Sequence, residues 1–109
     1  MIYHITTSIE YAKFDDKDYY EAVSLHTEGF IHCSTLNQIK ATAERYYSKT
    51  PEILVLGIDE QQLTSDLEYE LAATMGEEFP HIYGRINKSA IIEQQVYSNT
   101  NGHFEIVAG

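Results

Sequence analysis

The sequence predicts an α+β domain in which many short strands, in mixed or antiparallel pairing, surround one main helix at about residues 35–47. Three observations favour this class. Short runs of β-branched and aromatic residues recur along the chain, one segment has clear helical periodicity, and a strong turn signal precedes the last run. At 109 residues, of which 43% are hydrophobic, the chain can bury one core. We expect a single domain spanning residues 1–109.

The first third of the chain predicts several short elements. Residues 1–7 are rich in β-branched side chains and predict an opening strand. A short helix is expected at about Ile9–Phe14, with Ser8 as its cap. The segment Leu25–Gly29 predicts one helical turn, because its final glycine tolerates the left-handed conformation found after helices. A short strand, Phe30–Ser34, follows.

The clearest predicted element is the helix from about Leu36 to Tyr47. Thr35 and Gln38 have the spacing of a capping box, in which each side chain bonds a free backbone N–H group of the first turn. The helix ends before Lys49-Thr50-Pro51. Five residues at helical spacing predict one apolar face toward the core: Leu36, Ile39, Ala43, Tyr46 and Tyr47.

The remainder of the chain predicts further strands. The continuously apolar run Ile53–Ile58 is typical of a central strand buried on both faces. The alternating segment Leu67–Leu71 predicts a strand with one polar face, and Ile91–Tyr97 predicts another strand. Asn99–Gly102 is a strong turn signal, so His103–Val107 is expected to pair back as the last strand of a hairpin.

The charge of the chain limits its partners. The net charge is −10, and the only arginines are Arg45 and Arg85. Nucleic-acid binding depends on clustered basic side chains, and the same acidity repels anionic membranes, so we expect neither partner. A small anionic ligand would need a local exception, for which Arg85 is the candidate. The single Cys33 excludes an internal disulfide, and no signal peptide is recognisable, so we expect a cytoplasmic protein. The sequence leaves the oligomeric state open.

Two histidine-bearing blocks, residues 29–34 and 79–84, predict a shared polar pocket. An imidazole within an apolar run needs its hydrogen bonds supplied, because an unpaired buried polar group is costly. Alternation along a strand puts His32 and Ser34 on one face and Cys33 on the other. If the Cys33 face is the core, His32 and Ser34 line an accessible surface together. Cys33 is then a small core residue rather than a nucleophile.

The second block and the strand before it supply the other candidate side chains. Pro80 restricts the residue before it to an extended conformation, which gives His81 and Tyr83 a fixed course. Glu68 and Glu70 share one strand face, and one of these carboxylates is a candidate acid, base or ribose ligand. The residues by themselves favour the alternative, in which both carboxylates lie on a solvated strand face with no role in the pocket.

A metal site is a further alternative. His32, His81 and Glu70, drawn from three separate segments, have the side-chain types that bind zinc. The chain has neither a Cys-x-x-Cys pair nor a His-Glu-x-x-His helix, the spacings that make zinc assignments specific. We therefore expect no metal.

The two blocks together resemble the family called domain of unknown function 952. The resemblance rests on Gly29–Thr35, on Gln38, on Glu70 near a strand end and on Phe79–Gly84, with support from the opening Ile2–Ile5. It extends over about residues 2–97. It implies a fold similar to the ADP-ribosyltransferase-like fold, in which a mixed, split β-sheet holds a nicotinamide dinucleotide.

The resemblance also implies roles for individual residues. His32 and Ser34 would match the strand that holds the ribose, and Glu70 and His81 would take the remaining polar, catalytic roles. NAD or a related nucleotide would be the substrate. We expect further ligand contacts from His4, Thr35, Tyr83 and Arg85.

Three functions follow from the sequence and remain open. The first is an ADP-ribosyltransferase-like enzyme that acts on NAD or a related nucleotide through His32, Ser34, Glu70 and His81. The second is a non-catalytic module that binds a small molecule, such as a nucleotide, in the same pocket. The third is a metal-dependent hydrolase built on His32, His81 and Glu70.

Overall fold

The structure, a computed structural model, describes residues 1–107 and contains nine strands and three α-helices within that range. The strands are β1 (Ile2–Thr6), β2 (Tyr19–Tyr20), β3 (Ile31–His32), β4 (Glu52–Ile58), β5 (Asp66–Ala72), β6 (Glu77–Tyr83), β7 (Ile86–Asn87), β8 (Ile91–Thr100) and β9 (His103–Ile106). The helices are α1 (Ser8–Ala12), α2 (Val23–Thr27) and α3 (Ile39–Tyr46). The α+β class is confirmed, and the last two positions of the predicted domain lie outside the described residues.

The largest sheet has the strand order β1-β4-β8-β9, with β4 inside it. Its apolar run Ile53–Ile58 is buried throughout, so the prediction of a central strand is confirmed. Side chains on one face of β4, such as Leu54 and Leu56, join the larger core cluster, while Ile53 and Val55 on the other face pack in a second cluster with α3. A strand covered on both faces has no place for alternating polar residues, which explains its continuous hydrophobicity.

Two smaller sheets complete the fold. One has the order β3-β6-β5 and the other joins β2 to β7. Every strand pairing within residues 1–107 is antiparallel, so of the two kinds of pairing predicted the antiparallel one is confirmed. The mixed sheet that the resemblance implied is wrong, whereas the division into separate sheets is observed. Short turns join β5 to β6 and β8 to β9, and a short turn can join only antiparallel neighbours.

A single β-bridge links the two larger sheets. Tyr3 N–H donates to the Ser34 carbonyl at 2.8 Å, and Ser34 N–H donates to the Tyr3 carbonyl at 2.7 Å. The ladder of β3 with β6 covers Ile31 and His32 and ends with a bond from Cys33 N–H to the Pro80 carbonyl at 2.9 Å. At Ser34 the chain pairs with β1 instead. This change of partner brings the first histidine block against the first strand.

The main helix begins with a 3₁₀ turn, Leu36–Gln38, before α3. The predicted Gln38 side-chain bond is present, since its Oε1 accepts from Thr35 N–H at 3.0 Å. Ile39 and Ala43 are buried against the largest sheet, but Leu36 and Tyr46 are 65% and 63% exposed, so their predicted core positions are wrong. Leu36 lies in the 3₁₀ turn, which winds differently from an α-helix, and Tyr46 lies on the last turn, beside a cleft.

The first two helices are short, and only the second ends as predicted. Thr7, not Ser8, caps α1, because its Oγ1 accepts from Glu10 N–H at 3.2 Å. The helix also ends at Ala12, two residues before the predicted end. Helix α2 is followed by Gly29 with φ +91°, the left-handed conformation that the sequence predicted there.

The C-terminal hairpin is confirmed with a longer first strand. Strand β8 continues to Thr100, and the turn consists of Asn101 and Gly102, with φ +56° and +89°. Positive φ at both central positions matches the turn that asparagine followed by glycine favours. Strand β9 then pairs Phe104 with Asn99 and buries the phenylalanine in the core cluster below α3. No helix in the described part of the chain is long and apolar enough to cross a membrane.

The burial of Leu56 predicts a large loss of stability on its truncation. We expect Leu56→Ala to lower the free energy of unfolding by about 2–5 kcal/mol, because the side chain is fully buried and leaves a cavity. The matched variant Leu36→Ala should change it by less than about 0.5 kcal/mol, because that leucine is exposed. Urea unfolding of both variants measures the difference. Equal losses of unfolding free energy in the two variants would contradict the exposed position of Leu36 in the 3₁₀ turn before α3.

Candidate functional site

A cleft of about 770 Å³ lies where the two larger sheets meet. Its floor comes from β1 and from the segment after β3, and its walls come from the three helices, β2 and the β5–β6 region. The lining comprises His4, Ile5, Thr6, Glu10, Tyr20, Ala22, Val23, Ser24, Glu28, His32, Cys33, Ser34, Thr42, Tyr46, Tyr47, Ala72, Thr74, Met75, Phe79 and His81. Both histidine blocks therefore contribute to one cleft, as the sequence predicted.

The two predicted histidines lie side by side at this cleft. His32 and His81 are direct partners in the β3–β6 ladder, and their ring centroids are 5.4 Å apart. The Phe30 ring stacks on His81 with a centroid distance of 4.2 Å and an interplanar angle of 22°. Stacking on one face and a strand beneath restrict the His81 ring to one orientation.

Glu70 fixes the hydrogen-bonding state of His81. His81 Nδ1–H donates to Glu70 Oε1 at 2.8 Å, and the Tyr83 hydroxyl donates to the same oxygen. The bonds from Tyr83 and from His81 hold the pKa of the Glu70 carboxyl below its usual value. The bond to Glu70 raises the pKa of the Tyr83 hydroxyl. An ionised Glu70 therefore faces His81, and of the two carboxylates on this strand face it is Glu70 that bonds the histidine.

His32 is held from the other side of the cleft. Its Nε2 lies 3.1 Å and 3.2 Å from the two carboxylate oxygens of Glu28, the residue that follows α2. Both side chains are about half exposed, at 54% and 50%. The pair therefore joins the end of α2 to β3 at the mouth of the cleft.

His4 forms part of the floor and is neutral. Its Nδ1–H donates to the His32 carbonyl at 2.7 Å, and its Nε2 lies 3.3 Å from the Tyr20 hydroxyl. Burial lowers the pKa of His4 to about 4. The Tyr20 hydroxyl donates to Thr6 Oγ1 at 2.9 Å, and burial raises its pKa to about 12. His4, predicted as a ligand contact, borders the cleft, and its Nδ1–H is already bonded to the His32 carbonyl.

Ser34 is not on the accessible surface that alternation predicted. It is 2% exposed, whereas His32 on the same predicted face is exposed. The reason is the change of partner after β3, since pairing with Tyr3 carries Ser34 into the interior. Its hydroxyl still borders the cleft and lies 3.4 Å from Thr42 Oγ1. Cys33 borders the cleft too, and burial raises the pKa of its thiol, which does not favour a nucleophilic thiolate.

Three predicted ligand contacts lie outside the lining. Arg85 Nε donates to Glu21 at 2.8 Å, and its guanidinium lies 3.9 Å from the Tyr19 ring centroid. The position of Arg85 therefore does not support a contact with an anionic ligand in the pocket, because its guanidinium is held by Glu21 and Tyr19 and does not line the cleft. Thr35 begins the 3₁₀ turn before α3, and Tyr83 reaches the site only through Glu70.

Several lining residues were not predicted from the sequence. Glu10 on α1, Glu28 after α2 and Tyr46 on α3 enter the cleft from separate helices. Short amphipathic segments indicate which face is polar, but only the packing of the helices around the β1–β3 junction shows that these faces converge. The only local signal for these lining residues was an acidic or aromatic side chain on, or directly after, each helix.

The predicted metal ligands do not form a metal site. Within residues 1–107 no group of three or more histidine, cysteine, aspartate or glutamate side chains is arranged to hold a metal ion. Glu70 and His81 bond each other, and His32 bonds Glu28 instead. This geometry does not favour the hydrolase alternative.

Known proteins share this fold. Residues 5–94 match the model of the family described as Protein of unknown function (DUF952). The crystal structure of protein CC0527 from Caulobacter crescentus superimposes with a TM-score of 0.83, at 24% sequence identity over 95% of this chain and 92% of that one. Its solution structure gives a TM-score of 0.78, at 23% identity over 94% and 89% of the two chains. A search of curated proteins finds no match.

The Tyr83–Glu70 bond predicts a measurable change in the Glu70 carboxyl. Replacing Tyr83 with phenylalanine removes the largest cause of the lowered pKa, so the Glu70 pKa should rise toward its ordinary value. Tyr69→Phe is the matched control, because the Tyr69 hydroxyl donates to Glu60 instead. A carboxyl NMR titration measures both. The arrangement is wrong if the two variants leave the Glu70 pKa equally unchanged.

The neutral His4 predicts a pH-dependent stability. Its folded pKa of about 4 lies below its ordinary value of 6.5, so between these values the unfolded chain binds the proton and the folded chain does not. Stability is therefore present above about pH 6.5 and falls with decreasing pH, by up to about 1.4 kcal/mol per pH unit. Urea unfolding between about pH 4 and 7 measures the slope. His4→Gln should reduce it, and an unchanged slope would contradict a buried neutral His4.

Proposed function

The chain belongs to the DUF952 family, and we propose that it is a small-molecule enzyme in which His81, oriented by Glu70, acts as a general base at the cleft. The observation that carries this proposal is the 2.8 Å bond between His81 Nδ1 and Glu70 Oε1 beside a cleft of about 770 Å³. A carboxylate that accepts from one imidazole nitrogen leaves the other nitrogen free to accept a proton.

The surroundings of His81 fit this role. Its side chain is 15% exposed and borders the cleft, so a bound ligand can reach it while bulk water has little access. Nδ1 is occupied by Glu70, and Nε2 has no hydrogen bond to the described residues. The ionised Glu70 stabilises the imidazolium that forms when Nε2 takes a proton, as the carboxylate does in hydrolase triads.

The lining favours a ligand that carries hydroxyl groups on a partly apolar frame. Ser34, Thr42 and Thr74 provide hydroxyls, while Tyr46 and Phe79 provide ring surfaces. Hydroxyl and aromatic side chains together are suited to a sugar or a nucleoside, because they bond its hydroxyls and cover its flat faces. The ribose contact for Ser34 stays part of this proposal, because its hydroxyl borders the cleft.

A narrower form of the proposal is glycosyl transfer from NAD by an ADP-ribosyltransferase-like reaction. In that step the bond from the ribose carbon to nicotinamide breaks, and nicotinamide leaves with the bonding electron pair. An acceptor oxygen bonds the same carbon, and its proton passes to His81 Nε2. The family resemblance and the hydroxyl-lined floor support this form.

Binding without reaction is the second candidate. The bonds from Tyr83 and His81 to Glu70 connect β5 to β6, and such cross-strand contacts stabilise a sheet whether or not a reaction occurs. In this case the cleft holds its ligand, and the Glu70–His81 pair only fixes one wall.

Two variants at the pair separate these candidates. Thermal shift and nicotinamide release are measured with NAD and with nicotinamide riboside, in the wild type and in Glu70→Gln and His81→Asn. We expect ligand-induced thermal shifts in all three proteins, with release slowed by about 10²- to 10⁴-fold in the variants. Glu68→Gln, on the same strand face, is the matched control and should release nicotinamide at the wild-type rate.

The outcomes decide between enzyme and binding module. Thermal shifts without nicotinamide release in the wild type would favour binding alone. Release that is equally fast in Glu70→Gln, His81→Asn and Glu68→Gln would remove His81 from the reaction.

A further inference from the structure

The charged residues that line the cleft are acidic. Glu10 and Glu28 are its only Asp, Glu, Lys or Arg residues among the described part of the chain. The whole chain carries a net charge of −10, so the surrounding field adds to theirs. The lining therefore offers a phosphate group two carboxylates, one of them paired with Lys13 from outside the lining, and no lysine or arginine of its own.

The basic side chains near the cleft have other partners. Lys13 Nζ donates to Glu10 Oε1 at 2.9 Å from outside the lining. Arg45 lies over the Tyr46 ring, with Cζ 5.6 Å from the centroid, and also does not line the cleft. Arg85 is held by Glu21 and Tyr19. None of these contacts presents a free cation to a bound phosphate.

The aromatic side chains of the lining also favour a positively charged ligand over a phosphorylated one. Tyr20, Tyr46, Tyr47 and Phe79 border the cleft, and aromatic ring faces attract organic cations. Aromatic rings around a cavity are one means by which proteins bind quaternary ammonium groups, and the same attraction applies to a pyridinium group.

We propose that the cleft selects an organic cation without phosphate groups, such as a pyridinium nucleoside, over a phosphorylated nucleotide. This inference rests on the proposed function and names the ligand class of the same cleft. Glu28 at the mouth and Glu10 on α1 provide the opposite charge, and the hydroxyl-lined floor takes the sugar. In the glycosyl transfer proposed above, a pyridinium nucleoside then takes the place of NAD as the preferred donor, because it carries the positive charge on its leaving group and has no pyrophosphate to accommodate.

A charge series of four ligands tests the selection. Nicotinamide riboside is a cation, adenosine is neutral, and nicotinamide mononucleotide and NAD carry one and two phosphates. Calorimetry should give the tightest binding for nicotinamide riboside, weaker binding for adenosine, and at least about tenfold weaker binding for both phosphorylated ligands. Tighter binding of NAD or of the mononucleotide than of the riboside would overturn the proposal.

Variants of the two cleft carboxylates test whether the cleft is where the ligand charge is selected. Glu10→Gln and Glu28→Gln should each weaken binding of nicotinamide riboside by about three- to tenfold and leave adenosine unchanged. Glu44→Gln is the matched control, because Glu44 contacts His103 and does not line the cleft. An unchanged ratio of riboside to adenosine affinity in both variants would also overturn the proposal.

The two proposals fail in different ways. If the four ligands bind without regard to charge while His81→Asn still abolishes nicotinamide release, the charge selection is wrong and the general base stands. If the riboside binds most tightly but no variant changes its turnover, the selection stands and the general base is wrong. If none of the four ligands binds, both are wrong.

Discussion

Two backbone hydrogen bonds between Tyr3 and Ser34 join the two larger sheets, and the position of the cleft depends on them. They end the pairing of β3 with β6 after two residues and carry the first histidine block against β1. The His4 side chain on β1 then donates to the His32 carbonyl, which is a further bond between β1 and β3 at this junction. The space left between the diverging sheets is the cleft, and the three helices enclose it.

The register of β3, β6 and β5 determines the chemistry at this junction. Direct pairing puts His32 beside His81, and the neighbouring strand puts Glu70 within 2.8 Å of the His81 ring. Side chains that alternate across a strand would reach the opposite face after a slip of one residue. The apolar face of the same strands, which includes Ile31 and Ile82, is fully buried and prevents such a slip. Core packing therefore holds the Glu70–His81 pair in place.

Local sequence patterns predicted the secondary-structure elements, whereas contacts between residues distant in the sequence determine which side chains form the site. Three features could be predicted because the identity of adjacent residues is enough to recognise them. They are the apolar run of β4, the Asn101-Gly102 turn and the two histidine blocks. The burial of Ser34 could not be predicted, since it follows from pairing with a strand about thirty residues away. The position of Arg85 outside the lining could not be predicted for the same kind of reason, because its partner Glu21 is distant in the sequence. The acidic side chains of the cleft are Glu10 on α1 and Glu28 directly after α2. No local sequence pattern shows that these two helices lie at the same cleft.

The hydrogen position on the His81 ring tests the account most directly. A bond to ionised Glu70 requires the proton of the neutral imidazole to be on Nδ1 and leaves Nε2 as the base. Long-range proton–nitrogen NMR correlation distinguishes the two ring nitrogens. The account predicts an Nδ1–H tautomer for neutral His81 in the wild type and loss of that preference in Glu70→Ala. An Nε2–H tautomer in the wild-type protein would contradict the general-base assignment.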